Sequence, residues 1–363
     1  MRILHFHPDG RMAARFIDPL IEAERNYGHT SELITSTRKS KTGSKIIPYD
    51  LTFRNLLMLP IVFLRLYLLL KKFNPDIVIS HNTKSSPLPL FVAWIFGIKL
   101  RIYFNHGVPY VGYTGMLRSV LRFFEKINCT LSNRILTVSP DMVTLLKDVI
   151  QDVEPNIIMN GSASGLDLDI YSSDLYKNST WRQVNSIKED DIIVVFIGRP
   201  EKRKGFGHAV RLWADYMTNP NYKLVICGAS SVDVLRHLPM IPFNVICLGF
   251  VSSIPDVLLN SDILILPSLH EGLSYAVLEA MAANCVVIAN DIDGVRNLVD
   301  DGINGYLVKD NQLSVYANLI ETLSKDEEKM SDIKKHAMAT AENFSRKRFL
   351  PEYLAYLDKA SKT

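Results

Sequence analysis

The chain has little that would staple or anchor it. Its four cysteines, Cys129, Cys227, Cys247 and Cys285, are scattered over 363 residues with no close pair. That spacing offers neither a zinc pattern nor a disulfide framework, so buried reduced thiols are expected. Charge imbalance is slight, since 41 Lys and Arg against 38 Asp and Glu leave +3 at pH 7. Such a balance excludes no anionic partner, and only a local basic cluster would argue for one; no nucleic-acid partner is expected. Long apolar runs are also missing. Residues 56–70 come nearest, but Pro60 and Arg65 interrupt them and Lys71 and Lys72 end them. Those 15 residues fall short of the ~20 that a spanning helix needs and read as a buried helix rather than a membrane-facing one. Residues 1–8 enter a strand at once, without the apolar stretch and small-residue cleavage site of a signal peptide. The Asn-x-Ser/Thr triplets at Asn128, Asn160 and Asn178 therefore carry no meaning, and a cytoplasmic location is expected. Heptads, low-complexity tracts and short internal repeats are absent too.

What is present is alternation. At 47% hydrophobic and 22% charged residues the composition is globular, and the length exceeds one comfortable core. Short β-branched runs at 3–6, 76–80, 101–104, 134–139 and 156–159 are separated by helical stretches, among them one from Arg15 to Asn26 stopped at Gly28. Residues 171–191 turn polar and read as a connection. A second series follows, with strands at 192–197, 223–227, 244–248, 262–266, 285–289 and 305–308. Continuous apolar strands joined by helices imply parallel sheets buried on both faces. The reading is α/β, with two doubly wound parallel-sheet domains at 1–170 and 171–343 and a tail helix over 344–363 returning to the first. Two such domains side by side present a cleft at the carboxyl ends of their strands, where ligands of open α/β sheets bind.

Four features point to an anionic ligand there. A strand ends at Gly198, Arg199 emerges from it, and Lys204 follows five residues later with Gly205 behind it. An arginine fork and a lysine point charge suit a diphosphate, whereas a solvated basic turn that includes Lys202 and Arg203 is the plainer alternative. Next, a strand ending at Leu266 leads to Glu271, Gly272, Leu273 and Ser274, and then to Glu279. Ser274 can cap the helix that bears Glu279, which puts the backbone amides of 272–274 at a helix N-terminus, a favoured place for phosphate. Two carboxylates flanking that turn can accept hydrogen bonds from the hydroxyls of a sugar and a ribose. In the first half, Asn105-His106-Gly107 follows a strand, and His106 can reach into the cleft from the opposite wall. Residues 160–167 form a small-residue loop that is either a linker or cleft lining.

At this point the spacing resembles a known family. Glu271 and Glu279, with seven residues between them, resemble the E-x7-E motif of family 4 retaining glycosyltransferases. Gly198-Arg199 with Lys204-Gly205 resembles that family's phosphate-binding element, and the 160–167 loop resembles the segment that closes its first domain. The resemblance implies the GT-B fold, two Rossmann-like domains facing a cleft, with the donor held mainly by the second. By the same resemblance Arg199 and Lys204 bind the donor diphosphate and stabilise it as leaving group. Glu271 contacts hydroxyls of the transferred sugar, with Gly272, Leu273 and Ser274 close to sugar and phosphate, and Glu279 holds the ribose. His106 approaches the donor sugar. No metal and no cofactor are expected, because the basic pair takes over a cation's electrostatic role. The first loop departs from the family: Gly10 stands alone, where many members carry a Gly-Gly pair.

The expected reaction is transfer of a hexose-type sugar from a nucleotide-diphosphate-sugar, UDP foremost, to a hydroxyl of a glycan. A non-catalytic sugar- or nucleotide-binding protein, or a phosphorylase or epimerase on the same fold, are the alternatives. For the acceptor, residues 117–126 read as an amphipathic helix with Arg118, Arg122 and Lys126 at four-residue spacing. Basic amphipathic helices lie on anionic membranes. The pattern also resembles bacterial enzymes that extend polyprenyl-diphosphate-linked sugars for surface polysaccharides. Peripheral attachment to the inner face of the plasma membrane and a lipid-linked acceptor follow as expectations.

Overall fold

The computed structural model describes residues 1–49, 58–150, 154–172 and 180–362. They form two compact units, one of residues 1–165 and 346–363 and the other of residues 166–345.

The first unit runs β1 (Arg2–His7), α1 (Gly10–Phe16), α2 (Asp18–Asn26), β2 (Thr30–Thr35), β3 (Lys45–Ile46), α3 (Leu59–Phe73) and β4 (Ile77–His81). It continues with α4 (Pro87–Ile95), β5 (Leu100–Asn105), α5 (Gly115–Leu131), β6 (Arg134–Thr137), α6 (Pro140–Lys147) and β7 (Pro155–Asn156). The strands pair in the order β3-β2-β1-β4-β5-β6-β7, all in parallel. The expected helix from Arg15 to Asn26 is two helices, because Pro19 at the start of α2 forces a fresh first turn after Ile17. The expected strand at 156–159 shrinks to Pro155–Asn156, since Met159 adopts a left-handed φ of 55° that ends extended pairing.

Within residues 56–70, Leu56 and Leu57 lie outside the described residues, Met58 caps α3, and Leu59 to Leu70 belong to it. That helix is buried on one side only. Val62, Leu66, Leu70 and Phe73 pack with Leu4, Phe6, Val78 and Val92 in the core, at roughly 1.5–3 kcal/mol per fully buried side chain. Ile61, Leu64 and Leu68 on its other side stay exposed. No described helix is long and apolar enough to cross a membrane.

The second unit comprises α7 (Trp181–Val184), β8 (Ile192–Ile197), α8 (Phe206–Tyr216), β9 (Tyr222–Cys227), α9 (Ser231–Leu235), β10 (Val245–Gly249) and α10 (Ile254–Leu258). Then come β11 (Ile263–Leu266), α11 (Tyr275–Ala282), β12 (Val286–Asn290), β13 (Tyr306–Val308), α12 (Leu313–Leu323) and α13 (Glu327–Asn343). Its sheet order is β10-β9-β8-β11-β12-β13, again parallel throughout. The core seats Trp213, Phe196 and Phe206 against β-branched strand residues. Cys227 and Cys285 are buried thiols here, as Cys129 is in the first unit, whereas Cys247 is half-buried; all four are free.

The last helix, α14 (Arg346–Lys362), belongs to the first unit and packs on α2. Gly165, at the end of the 160–167 loop, has a φ of 69° and lies so close to the Arg346 backbone that a side chain would not fit.

Candidate functional site

Both sheets reverse strand order beside their first strand, between β1 and β4 and between β8 and β11. Crevices outside the carboxyl ends of strands at such a point are where open α/β sheets take ligands. Arg199 and Lys204 follow β8, and Glu271 follows β11.

In the second unit the loop after β8 is a single 3-10 turn, Lys202–Lys204, closed by Gly205 at a φ of 67°. Gly205 sits against the carbonyl of Pro267, leaving no room for a Cβ, so the β8 loop is pressed onto the β11 loop. Two hydrogen bonds reinforce this: Leu269 N donates to the Arg203 carbonyl at 2.8 Å, and the Arg203 guanidinium donates to the His270 carbonyl at 3.3 Å. The result is an ion pair built across the two loops. Lys204 Nζ donates to Glu271 Oε1 at 2.7 Å and to Oε2 at 2.9 Å. Arg203 adds a second cation 3.9 Å from Glu271 Oε2. The Glu271 side chain is 7% exposed and that of Lys204 23%, so the pair is shielded but reachable from one side.

The other residues expected there are placed differently. Arg199 is largely exposed and pairs with Glu201 at 2.8 Å instead of joining Lys204 and Glu271. Ser274 occupies the N-cap position of α11, yet its side chain makes no capping hydrogen bond. Its amide donates to the Gly294 carbonyl at 3.0 Å and so is already satisfied, contrary to the expectation of a phosphate-ready amide. Gly294, at a φ of 75°, packs against the carbonyls of Glu271 and Gly272 too closely to admit a side chain, which clamps the loop. Leu273 and Glu279 are buried, and Gly272 is half-buried. Gly198 directly follows β8, with the Phe196 ring and Lys204 Cβ packed against it.

In the first unit, Gly10 opens α1 and its Cα faces the backbone of Arg38 and Lys39 too closely for a side chain. Internal packing thus accounts for a glycine there. His106 follows β5 in a loop held by Asn105, whose Oδ1 accepts from Gly107 N at 2.8 Å. Asn105 in turn donates to the Tyr103 hydroxyl at 2.9 Å. Tyr103 and Thr83 both donate to Glu125, at 2.7 and 2.6 Å. Burial pushes the Glu125 carboxyl up to about 7, and its hydrogen bonds only partly oppose that.

Sequence reasoning singled out one histidine, but the structure assembles four. His7 ends β1, His81 ends β4, His106 follows β5, and His5 lies two residues before His7 on the same strand. His5 Nε2 bonds both Glu24 carboxylate oxygens at 3.1 Å. His5 Nδ1 meets His81 Nε2 at 3.1 Å, and His81 Nδ1 meets His106 Nε2 at 2.9 Å. Ser31 and Tyr353 donate to the same carboxylate at 2.5 and 2.6 Å. Burial pushes His7 down to about 4 and His106 down to about 3, and His81 well below the ordinary imidazole value. These rings are neutral at physiological pH. The available signal was the His-x-His pattern in an otherwise apolar strand, together with one histidine at each of two further strand ends.

On α5 the buried side carries Leu121, Glu125, Asn128 and Cys129, while Met116, Leu117, Val120 and Phe123 are exposed. Of the basic residues, Arg118 lies over the Tyr110 ring at 5.7 Å. Arg122 donates to the Asp148 carbonyl at 2.6 Å, and Lys126 is exposed. Phe91, Trp94 and Ile95 of α4, which packs between α3 and α5, are exposed as well.

A profile described as Glycosyltransferase Family 4 matches residues 13–161, and one described as Glycosyl transferases group 1 matches residues 177–340. Among relatives, an Escherichia coli UDP-Gal:alpha-D-GlcNAc-diphosphoundecaprenol alpha-1,3-galactosyltransferase is 25% identical over 272 residues, covering 72% of this chain and 69% of that protein. The N,N'-diacetylbacillosaminyl-diphospho-undecaprenol alpha-1,3-N-acetylgalactosaminyltransferase of Campylobacter jejuni is 24% identical, covering 88% and 87%. Among solved structures, Anabaena HepE in complex with UDP and glucose superposes with a TM-score of 0.83 at 19% identity, covering 99% of each chain. The chain belongs to the family 4 glycosyltransferases and has their GT-B fold, two Rossmann-like parallel-sheet domains.

Proposed function

We propose that the protein transfers a hexose-type sugar, with retention of anomeric configuration, from a UDP-sugar to a hydroxyl of a polyprenyl-diphosphate-linked glycan in bacterial surface polysaccharide synthesis. The observation that carries this reading is the shielded Lys204–Glu271 pair beside the strand-order reversal of the second unit. A cation and a carboxylate there can divide one donor between them. Lys204 holds the diphosphate with help from Arg199, whose exposed guanidinium swings off Glu201 to do so. Glu271 takes hydroxyls of the sugar, Glu279 takes the ribose, and residues 272–274 shape the pocket between them. His106 meets the donor sugar. In the reaction the bond from the anomeric carbon to the diphosphate oxygen breaks as the acceptor hydroxyl attacks from the same face. The departing phosphate oxygen takes the hydroxyl proton, and the basic side chains stabilise the charge that develops, so no metal is required. Relatives named for undecaprenyl-diphosphate-linked acceptors support the acceptor class, and the UDP complexes of HepE support the donor class.

The exposed apolar residues of α3, α4 and α5, with Arg118 and Lys126 beside them, support peripheral attachment to an anionic membrane at its inner face. The direct test is incubation with a panel of UDP-hexoses and a polyprenyl-diphosphate-linked monosaccharide in EDTA, with product anomers read by NMR. Transfer with retained configuration is expected. An inverted product, a strict metal requirement, or no transfer from any UDP-hexose would overturn the reading.

A further inference from the structure

Residues 267–269, where the chain leaves β11, bear the loop that carries Lys204. Pro267 presses its carbonyl against Gly205, and Leu269 N donates to the Arg203 carbonyl at 2.8 Å. Between them Ser268 Oγ makes a long contact of 3.5 Å with the Lys204 carbonyl. Three consecutive residues thus support three others, and the ammonium is placed no better than the stretch beneath it. What holds that stretch from the other side is Asn290, at the end of β12. Leu266 pairs with Ala289 in the β11–β12 register, so Asn290 lies beside the point where residues 267–269 begin.

The bonds around Asn290 have one possible direction. A backbone carbonyl only accepts, so Asn290 Nδ2 donates to the Ser268 carbonyl, at 2.9 Å. Its other hydrogen goes to Asn311 Oδ1. Asn290 Oδ1 then accepts from the Tyr316 hydroxyl at 2.9 Å, and that hydroxyl also lies 3.2 Å from the Leu266 carbonyl. Asn290 is 2% exposed, and Ser268 and Tyr316 are fully buried. Asn311 belongs to a turn after β13 in which it and Asp310 take left-handed φ of 52 and 51°. A single amide therefore joins the carboxyl ends of β11, β12 and β13 to α12, and no apolar side chain could replace its donors. We propose that Asn290 is a positioning residue for Lys204, a role that rests on the donor-site reading above. Through Ser268 it fixes residues 267–269, and through them the place at which the ammonium meets a diphosphate. Asn290 acts on the anion only by way of Lys204, so removing it costs no more affinity than removing the ammonium itself.

The test is a cycle on the full chain: wild type, Asn290→Ala, Lys204→Ala and the double variant, each followed by calorimetry with UDP in EDTA and by thermal melts. Asn290→Ala should weaken UDP by about threefold to tenfold. In the Lys204→Ala background the same substitution should change UDP affinity by less than about twofold, because the group it places is gone. In the melts, Lys204→Ala should cost less stability when Asn290 is already alanine, since a displaced ammonium no longer pairs fully with Glu271. Asn290→Asp keeps the shape and the acceptor for Tyr316 but has no hydrogen for Ser268, so it should weaken UDP as Asn290→Ala does. Tyr316→Phe leaves both donors and removes only the group that orients them. It should lose about twofold to threefold, again only where Lys204 is present, and serves if the Asn290 variants fail to fold. Unchanged UDP affinity in Asn290→Ala, or an equal loss in both backgrounds, would make Asn290 structural only and overturn the proposal. Lys204→Ala that binds UDP as wild type does would sink the donor-site reading instead. The melts then decide alone: additive losses overturn the placing of Lys204 by Asn290, and non-additive losses leave it standing.

Discussion

The Lys204–Glu271 pair allows a prediction in which two partners of one contact respond with opposite signs. Each Glu271 oxygen lies within 3 Å of Lys204 Nζ, at 2.7 and 2.9 Å. A phosphate oxygen taking the same ammonium comes to rest about 5 Å from that carboxylate. Two unit charges at that separation repel by roughly 1.5–3 kcal/mol for an effective dielectric of 20–40. Glu271→Gln removes the repulsion and keeps an oxygen for Lys204. UDP, which has no sugar for Glu271 to hold, should therefore bind about tenfold tighter to Glu271→Gln than to wild type, while sugar transfer is lost. Lys204→Ala has the reverse effect. It deletes a charge-assisted contact of roughly 1.5–3 kcal/mol and leaves the carboxylate facing the phosphate, so UDP should weaken by tenfold or more. The same variant should lose about 1–3 kcal/mol of stability. A carboxylate only 7% exposed is left with Arg203 at 3.9 Å as its remaining cation, which is why the loss stays below that of a fully stranded buried charge. Calorimetry with UDP in EDTA reads the affinities, and thermal melts read the stability. Equal or weaker UDP binding by Glu271→Gln would refute the idea that the anion lands on Lys204.

Three further outcomes follow from particular contacts. Gly205→Ala should destabilise the second unit by at least ~2–3 kcal/mol, since both its φ of 67° and the Pro267 carbonyl oppose a side chain; a melting temperature unchanged within a degree would contradict this. Glu125 is held up to about 7 from an ordinary value of 4.5, so the folded state binds a proton that the unfolded chain has lost. Stability should accordingly fall as pH rises from 4.5 to 7, by on the order of 3 kcal/mol, and urea titrations at pH 5 and 7 should show that slope vanish in Glu125→Gln. At the surface, flotation with vesicles containing anionic lipid should carry the wild-type chain and lose a Met116→Glu, Phe123→Glu double variant. Association that also survives Arg118→Ala with Lys126→Ala would count against a membrane role for α5.

Much of the fold was legible because parallel strands buried on both faces announce themselves. Residues 192–197 and 262–266 are unbroken apolar runs, and each became a central strand. The pattern gave less where burial is partial. β2 opens on Thr30, Ser31 and Glu32, polar residues that mask a strand, because Ser31 is spent on Glu24 instead of on water. The Lys204–Glu271 contact was foreshadowed only as two separate motifs. Their meeting depends on Gly205 against Pro267, a packing relation 62 residues apart that no local pattern encodes. Arg203 looked like part of a solvated basic turn, yet it ties the two loops together through His270. The histidine line was invisible for the same reason: His5 and His81 are 76 residues apart in sequence and are neighbours only through the β1–β4 pairing.

The hydroxyl of Tyr353 reaches Glu24 across 329 residues of sequence. The second unit, by contrast, is a continuous stretch from 166 to 345. On a growing chain the second unit can therefore close as soon as its own last strand and helices are out. The first unit, although begun earlier, has to wait with the Glu24 carboxylate short of its Tyr353 partner until the final helix arrives. Synthesis order and completion order are inverted in this protein. A stop or nick near residue 346 would leave the half made first as the half that never finished.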